Sequence, residues 1–103
     1  MAHTAASVRL AGKTIVITGA SSGIGRSIAF EFARTSPQDL RLILVARRID
    51  ALNEVAARIT TQFGGGVTVL PVELDVSNPG EVKNFFSNLP EEWRNINILV
   101  NNA

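Results

Sequence analysis

Three glycines and two serines follow the first apolar run of the chain, in the order Gly19-Ala20-Ser21-Ser22-Gly23-Ile24-Gly25. Gly19 lets the chain leave a strand sharply, and Gly23 has no Cβ, so the backbone there can approach a pyrophosphate closely. Gly25 lets the next helix pack tightly on the sheet, and the N–H groups that open this helix attract an anion. Ser21 and Ser22 add hydroxyl donors. The pattern predicts a phosphate-binding turn, with a plain strand-to-helix turn as the alternative.

The residues around this turn exclude one class of phosphate site. A P-loop requires Lys followed by Ser or Thr after its last glycine, whereas Arg26-Ser27 follow Gly25 here, at a different glycine spacing. The predicted turn therefore suits a dinucleotide rather than the phosphates of a P-loop NTPase.

A pair of arginines, Arg47 and Arg48, follows the second apolar run, and no acidic residue occurs there before Asp50. A dinucleotide site selects its cofactor at this point, roughly 20 residues beyond the glycines, where an acid binds the 2′-hydroxyl of NAD and arginine accepts the 2′-phosphate of NADP. Two solvated charges at a strand end are the alternative reading. Because the glycine turn lies upstream, we predict that both arginines bind phosphate and that the cofactor is NADP.

The elements that position these residues alternate between two hydrophobic periods. Amphipathic helices are expected from Ile24, from Leu52 and around Phe85, with Asp50 and Asn78 as N-caps and Gly64 as a helix end. This alternation predicts an α/β fold, a Rossmann-like parallel sheet of four strands in the order 3-2-1-4 with three helices. The predicted strands are 14–18, 40–46, 67–74 and 96–100.

The predicted topology leaves one face of the sheet thinly covered. The helices from Ile24 and Leu52 share one face, so the helix around Phe85 lies alone on the other. We expect apolar strand side chains to be exposed on that face and strand 96–100 to be an unpaired edge. Phe85 and Phe86 are expected in the core, and Trp93 is expected to cover the edge of the sheet.

The composition excludes several other kinds of function. A chain of 103 residues fits one domain, residues 1–103, and its net charge of +1 disfavours nucleic acid and membrane partners. Cysteine is absent and histidine occurs once, so neither disulfides nor a Cys- or His-rich metal site is expected. The start of the chain, up to Gly12, carries no apolar core of signal-peptide length, and a cytoplasmic location is the default expectation.

Two motifs at this separation, Thr18 to Gly25 and Ile98-Leu99-Val100-Asn101-Asn102-Ala103, resemble those of the short-chain dehydrogenase/reductase family. The resemblance extends from about Leu10 onward. The segments 42–48 and 89–93 look most like the branch of NADP-dependent 3-hydroxy acid (serine or allo-threonine) dehydrogenases of fungi and bacteria.

The resemblance implies further site residues. It implies that the Asp75 side chain meets the adenine ring, with the Val76 backbone beside it, and that Ile24 belongs to the cofactor-binding turn. Asn102 is implied to lie near the ribose of the cofactor and to pin neighbouring strands together. The family often has Asp where Asn97 stands, which puts one local contact in doubt.

The chemistry of the family implies that this chain by itself lacks the catalytic residues. Its members transfer hydride between the nicotinamide and a small alcohol or carbonyl, using a Ser, a Tyr and a Lys downstream of the Asn-Asn-Ala strand. The sequence contains no Tyr, so no catalytic residue is assigned, and we expect a fragment that ends after the fourth strand. A small-molecule substrate and a homo-oligomer are expected only for a full-length form. The alternatives are a non-catalytic NADP-binding module and an inactive truncation product.

Overall fold

The computed structural model describes residues 10–102. Residues 1–9, where no signal peptide is predicted, and Ala103, the last residue of the Asn-Asn-Ala motif, lie outside the described residues. Four strands form one parallel sheet in the order β3-β2-β1-β4, as predicted. The strands are β1 (Lys13–Thr18), β2 (Leu40–Ala46), β3 (Val67–Glu73) and β4 (Ile98–Val100).

Three α-helices connect the strands, and a short 3-10 helix precedes β4. The two crossovers on the β3 side of β1 run in one direction across the sheet, and the crossover to β4 runs in the other. The helices are α1 (Gly23–Thr35), α2 (Ile49–Phe63) and α3 (Pro79–Asn88), and the 3-10 helix spans Glu91–Trp93.

Helix α1 packs on the sheet through its smallest residues. Gly25, Ala29 and Ala33, spaced four apart, are buried, whereas Ile24 is 70% exposed. The amphipathic helix expected from Ile24 is therefore present, but Ile24 itself lies outside its buried face. Small side chains allow a helix to approach the sheet closely, and this approach turns Ile24 away from the core, to the flank of the helix.

The ends of the helices agree in part with the predicted caps. Gly64 ends α2 with a φ of 81°, and the Asn78 side chain accepts hydrogen bonds from the N–H groups of Gly80 (3.0 Å) and Glu81 (3.3 Å). The prediction that Asp50 caps α2 was wrong: Arg48 has the extended N-cap conformation, and Asp50 lies in the first turn. A carboxylate in the first turn still interacts favourably with the helix dipole.

The sheet separates two apolar clusters, as the topology predicts. Alternate residues of β1 and β2, including Ile15, Ile17 and Leu42, pack beneath α1 and α2. The intervening side chains, including Val16 and Ile43, belong to the second cluster on the opposite face.

The second face is better covered than the sequence predicts. Leu89 and Trp93 are buried over Val16, Ile43 and Val45, so the central strand side chains on this face are not exposed. Trp93 thus covers the middle of that face, because the 3-10 helix folds it inward.

Exposure on the second face is confined to its periphery. Leu99 on β4 is 64% exposed and Phe86 on α3 is 52% exposed, so the prediction of a core position for Phe86 was wrong. Phe85 is partly buried against the cluster, in agreement with the prediction. The two side chains differ because they point to different sides of α3.

Hydrogen bonds join the chain just before the edge strand β4 to strand β1. The Thr14 N–H donates to Asn97 Oδ1 (2.9 Å), and the Asn97 N–H donates to the Thr14 carbonyl (2.9 Å). An amide oxygen accepts this bond as a carboxylate oxygen would, so Asn97 makes a contact that its departure from the family pattern had put in doubt.

Candidate functional site

A groove of about 770 Å³ lies at the carboxyl edge of the sheet. It opens beside β1, where the strand order reverses, and this is the position at which parallel α/β sheets bind ligands. Its walls are the segments that follow three strands, and they hold seven of the residues predicted from the sequence. Those residues are Gly19, Ser21, Ser22, Arg47, Arg48, Asp75 and Val76.

The glycine turn brings the start of α1 against the end of β1. A Cβ at Gly25 would lie 2.1 Å from the Gly19 carbonyl oxygen, so only glycine permits this packing. Gly23 has a φ of 59°, and a Cβ there would meet nothing within 4 Å. Glycine at position 25 is thus required by the fold, whereas the space beside Gly23 is open.

The N-terminus of α1 is free of competing anions. Ser22 is the extended N-cap residue, and its side chain makes no capping hydrogen bond. No acidic residue lies in the first turn of α1. Backbone N–H groups at a helix start therefore remain to bind an anion, with the helix dipole favouring negative charge.

The two arginines form another wall of the groove. Arg47 and Arg48 directly follow β2 and are exposed. Within residues 10–102, the salt bridges join Arg34 to Glu31 and Arg58 to Glu54, so neither groove arginine is held in one. Their guanidinium groups are therefore available to bind an anionic ligand.

Asp75, which comes shortly after β3, forms the third wall of the groove. Its Oδ1 accepts hydrogen bonds from the Ser77 hydroxyl (2.6 Å) and from the Ser77 N–H (2.9 Å). These bonds lower the pKa of the Asp75 carboxyl; partial burial opposes the shift, and the charge of Arg47 adds to it. Asp75 is therefore an ionised acceptor at the pH values where proteins function.

Asn102 lies beneath the glycine turn and does not line the groove. Its N–H donates to Thr18 Oγ1 (2.8 Å), and the Thr18 hydroxyl donates to Asn101 Oδ1 (3.1 Å). Its side-chain nitrogen would be 2.8 Å from a Cβ at Gly25. The residue therefore links β1, β4 and the turn.

Three other predicted residues also lie outside the lining of the groove. Gly23 and Ile24 face a second concavity along the flank of α1, and Gly25 is buried against the end of β1. Sequence reasoning missed Ser77 and Thr18 as site residues. A Ser two residues after an Asp is typical of a local side-chain turn, and this signal could have identified Ser77.

The described residues also bear on metal binding and on membrane insertion. Within residues 10–102 no three His, Cys, Asp or Glu side chains are grouped so as to hold a metal ion. In the same residues, none of the helices has the length and apolar character that crossing a membrane requires.

Comparison with known proteins gives one family. The short chain dehydrogenase family matches residues 13–103. The NADP-dependent 3-hydroxy acid dehydrogenase of Schizosaccharomyces pombe is 46% identical over 95 residues, which are 92% of this chain and 35% of that protein. The 11-beta-hydroxysteroid dehydrogenase-like 2 of Arabidopsis thaliana is 40% identical over 92 residues, 89% of this chain and 28% of that protein.

Solved structures show the same likeness. L-sorbose reductase from Gluconobacter frateurii, complexed with NADPH and L-sorbose, superposes with a TM-score of 0.79 and 41% identity, over 91% of this chain and 34% of that one. A short-chain dehydrogenase from Sphingobium yanoikuyae in complex with NADPH gives a TM-score of 0.73 and 40% identity, over 88% and 34%. The chain thus spans about a third of the length of the relatives that it matches.

Proposed function

We propose that this chain, which belongs to the short-chain dehydrogenase/reductase family, is the NADP-binding portion of an oxidoreductase. The full activity would be hydride transfer between NADP(H) and a small alcohol or carbonyl compound. The observation that carries the proposal is the groove at the carboxyl edge of the sheet, with Arg47 and Arg48 on one wall and the glycine turn on another.

The preference for NADP over NAD rests on the charge at the end of β2. Arg47 and Arg48 are exposed and held in no salt bridge within residues 10–102, and the first acid after them is Asp50, inside α2. Guanidinium groups bind phosphate through several N–H donors, whereas the 2′-hydroxyl of NAD would need an acceptor. The NADPH held by the two similar solved structures supports the same choice.

In this proposal the other predicted site residues bind the remaining parts of the dinucleotide. The opening N–H groups of α1, with the hydroxyls of Ser21 and Ser22, bind the pyrophosphate. Asp75 and Val76 bind the adenine end. Asn102 supports the turn from beneath, and a position near the ribose is what the family resemblance implies for it.

The reacting groups are not among the residues of this chain. NADP(H), when bound, supplies or accepts the hydride; the residues described here only bind and orient it. The sequence has no Tyr to act as the family's acid–base group. We therefore expect the chain alone to bind NADP and to turn over no substrate.

The proposal also covers the substrate, the oligomeric state and the cellular location of the complete enzyme. The 46% identity to a 3-hydroxy acid dehydrogenase favours a 3-hydroxy acid as the substrate of the complete enzyme. A homo-oligomer and a cytoplasmic location belong to the same proposal.

Calorimetric titration of the chain with NADPH and NADH tests the cofactor preference. NADPH should bind at least about tenfold more tightly, since one charge-assisted hydrogen bond contributes about 1.5–3 kcal/mol. The double variant Arg47→Ala, Arg48→Ala should lose most of this preference. A matched control, Arg34→Ala with Arg58→Ala, removes the same charge from exposed ion pairs outside the groove and should keep it. Equal affinities for the two cofactors in the unmodified chain would refute the proposal.

A non-catalytic NADP-binding module is the second candidate, favoured by the absence of Tyr. Both candidates predict cofactor binding, so a different observation separates them. A Tyr-x-x-x-Lys sequence in the coding region after Ala103 supports the enzyme, and its absence there supports the module. Turnover of carbonyls or 3-hydroxy acids that copurifies strictly with this chain would contradict both.

A further inference from the structure

Strand β3 forms one end of the sheet and has an unpaired edge. Within residues 10–102 it pairs with β2 alone, in an unbroken parallel register from Val67 to Glu73. Thr68 and Glu73 are exposed, and residues 69–72 are half-buried. An edge strand of this length is a template to which a strand of another chain can add.

The composition of β3 favours such addition at all but one position. The segment 67–72 carries no charge, and its residues are apolar or β-branched. Segments of about six or seven residues with high β-propensity, low charge and no proline are those that associate as stacked strands. Pro71 is the one departure of segment 67–72 from this pattern.

Two hydrogen bonds at the ends of β3 show which of its N–H groups face the free edge. The Leu40 N–H donates to the Gly66 carbonyl (3.0 Å), and the Leu74 N–H donates to the Ala46 carbonyl (2.9 Å). The N–H and C=O groups of a strand residue point to the same side, and this side alternates along the strand. Even-numbered residues from Gly66 to Leu74 therefore face β2, and the odd-numbered residues between them face outward.

Pro71 is thus an outward-facing residue in the middle of the free edge. Its nitrogen carries no hydrogen, so proline here leaves the ladder with β2 intact but removes a donor from the edge. The Val67 N–H is already used, by the Gly64 carbonyl at 3.4 Å. The outward N–H groups left for an added strand are those of Val69 and Glu73, and the proline lies between them. The ring Cδ replaces the missing hydrogen and projects toward the place of a neighbouring strand, about 4.8 Å away.

We propose that Pro71 closes the outer edge of β3 to strand addition and so prevents a second copy of this chain from pairing there. The inference is independent of the cofactor, because residues 67–73 do not line the groove. The opposite edge of the sheet differs. The Asn97 N–H donates to the Thr14 carbonyl, so Ile98 and Val100 face outward from β4 with both backbone groups intact.

A substitution that restores the missing N–H tests the proposal. Pro71→Val gives the edge of β3 an unbroken row of donors and a β-branched side chain. Leu99→Thr is included in every protein compared, so that association through β4 is reduced equally. Pro71→Val should lower the dissociation constant of self-association at least about tenfold, since each copy contributes one new backbone donor to the pair. Sedimentation velocity over a concentration series measures this constant, and an unchanged value in Pro71→Val would overturn the proposal.

An exchange of two residues separates the position of the proline from a general effect of losing Pro71. The double variant Val69→Pro, Pro71→Val has the composition of the unmodified chain and again places proline at an outward-facing position. It should associate as weakly as the protein that retains Pro71. Pro79→Ala removes a proline from the first turn of α3, outside the sheet, and should also leave self-association unchanged.

The contrast between the two variants that lack Pro71 decides the matter even where the substitution lowers stability. Urea denaturation and circular dichroism of each variant measure its stability and verify that it is folded. If the exchange variant associates as strongly as Pro71→Val, the closing of the edge by proline is refuted. In Pro71→Val the N–H groups of Val69 and Glu73 should exchange with solvent more slowly at high protein concentration than at low. Equal exchange rates at both concentrations would place the association elsewhere and refute the proposal.

Discussion

Replacing Gly25 by alanine tests the packing on which the whole site depends. The added Cβ would lie 2.1 Å from the Gly19 carbonyl oxygen and 2.8 Å from the Asn102 side-chain nitrogen. The first distance is about 1.3 Å shorter than the 3.4 Å at which ordinary contact begins. Because a carbonyl oxygen in a tight turn cannot move alone, α1 or the turn must shift as a unit.

Two opposing effects determine how much the Gly25→Ala substitution changes the free energy of unfolding. Alanine inside a helix gains about 0.5–1 kcal/mol over glycine. Overpacking of this kind costs typically about 1–3 kcal/mol, and more where backbone is the obstacle. Because backbone is the obstacle here, the cost should lie near the upper end of that range, so we expect Gly25→Ala to lower the free energy of unfolding by about 2–2.5 kcal/mol.

Urea denaturation followed by circular dichroism measures the loss. Gly65→Ala is the matched control, since a Cβ there meets nothing within 4 Å and its φ is not in the left-handed region. That variant should leave the free energy of unfolding nearly unchanged. An unfolding free energy of Gly25→Ala equal to or above that of the unmodified chain would refute the packing argument.

Three further predictions follow from the hydrogen bonds and the exposed apolar surface. The pKa of Asp75 should lie below its ordinary value of 3.8, so its stabilising contribution is complete above that value and is lost as the pH falls through the lowered pKa. In NMR titrations Ser77→Ala should raise this pKa more than Arg47→Ala does, and an unchanged pKa in Ser77→Ala would contradict the assigned cause. Thr18→Val leaves the Asn102 N–H without its hydroxyl acceptor and should cost about 1–3 kcal/mol in urea denaturation, whereas Thr18→Ser should lose less. Leu99 is 64% exposed on the edge strand β4 and should promote dye binding and self-association. Leu99→Thr should therefore lower dye fluorescence and light scattering. Equal scattering by the variant and the unmodified chain would exclude this edge as the cause of association.

The local features of the fold could be predicted from the sequence because they depend on residues close together in the chain. Alternating hydrophobic periods identify the strands and helices, and the handedness of parallel crossovers then orders the strands. The glycine turn and the position of the arginine pair are recognised in the sequence in the same way. The Asn78 cap and the Gly64 helix end also agree with their local patterns.

Contacts between distant segments were decided by the tertiary structure. Periodicity alone assigns Ile24 to the buried stripe, but the close approach of Gly25 to Gly19 turns the small face of α1 to the sheet and leaves Ile24 exposed. Trp93 occurs in a polar connection, and only the path of the 3-10 helix buries it over the second face.

The candidate site likewise combines features predicted from the sequence with features decided by the tertiary structure. The sequence by itself determined which residue types stand at the ends of the strands, since each end is marked by its own local pattern. Only the folded chain decided that Asp75 and Arg47 line one groove and that Asn102 lies beneath the glycine turn. The physical reason is that strand order brings together segments far apart in the chain, and close packing there leaves space for some side chains and not for others.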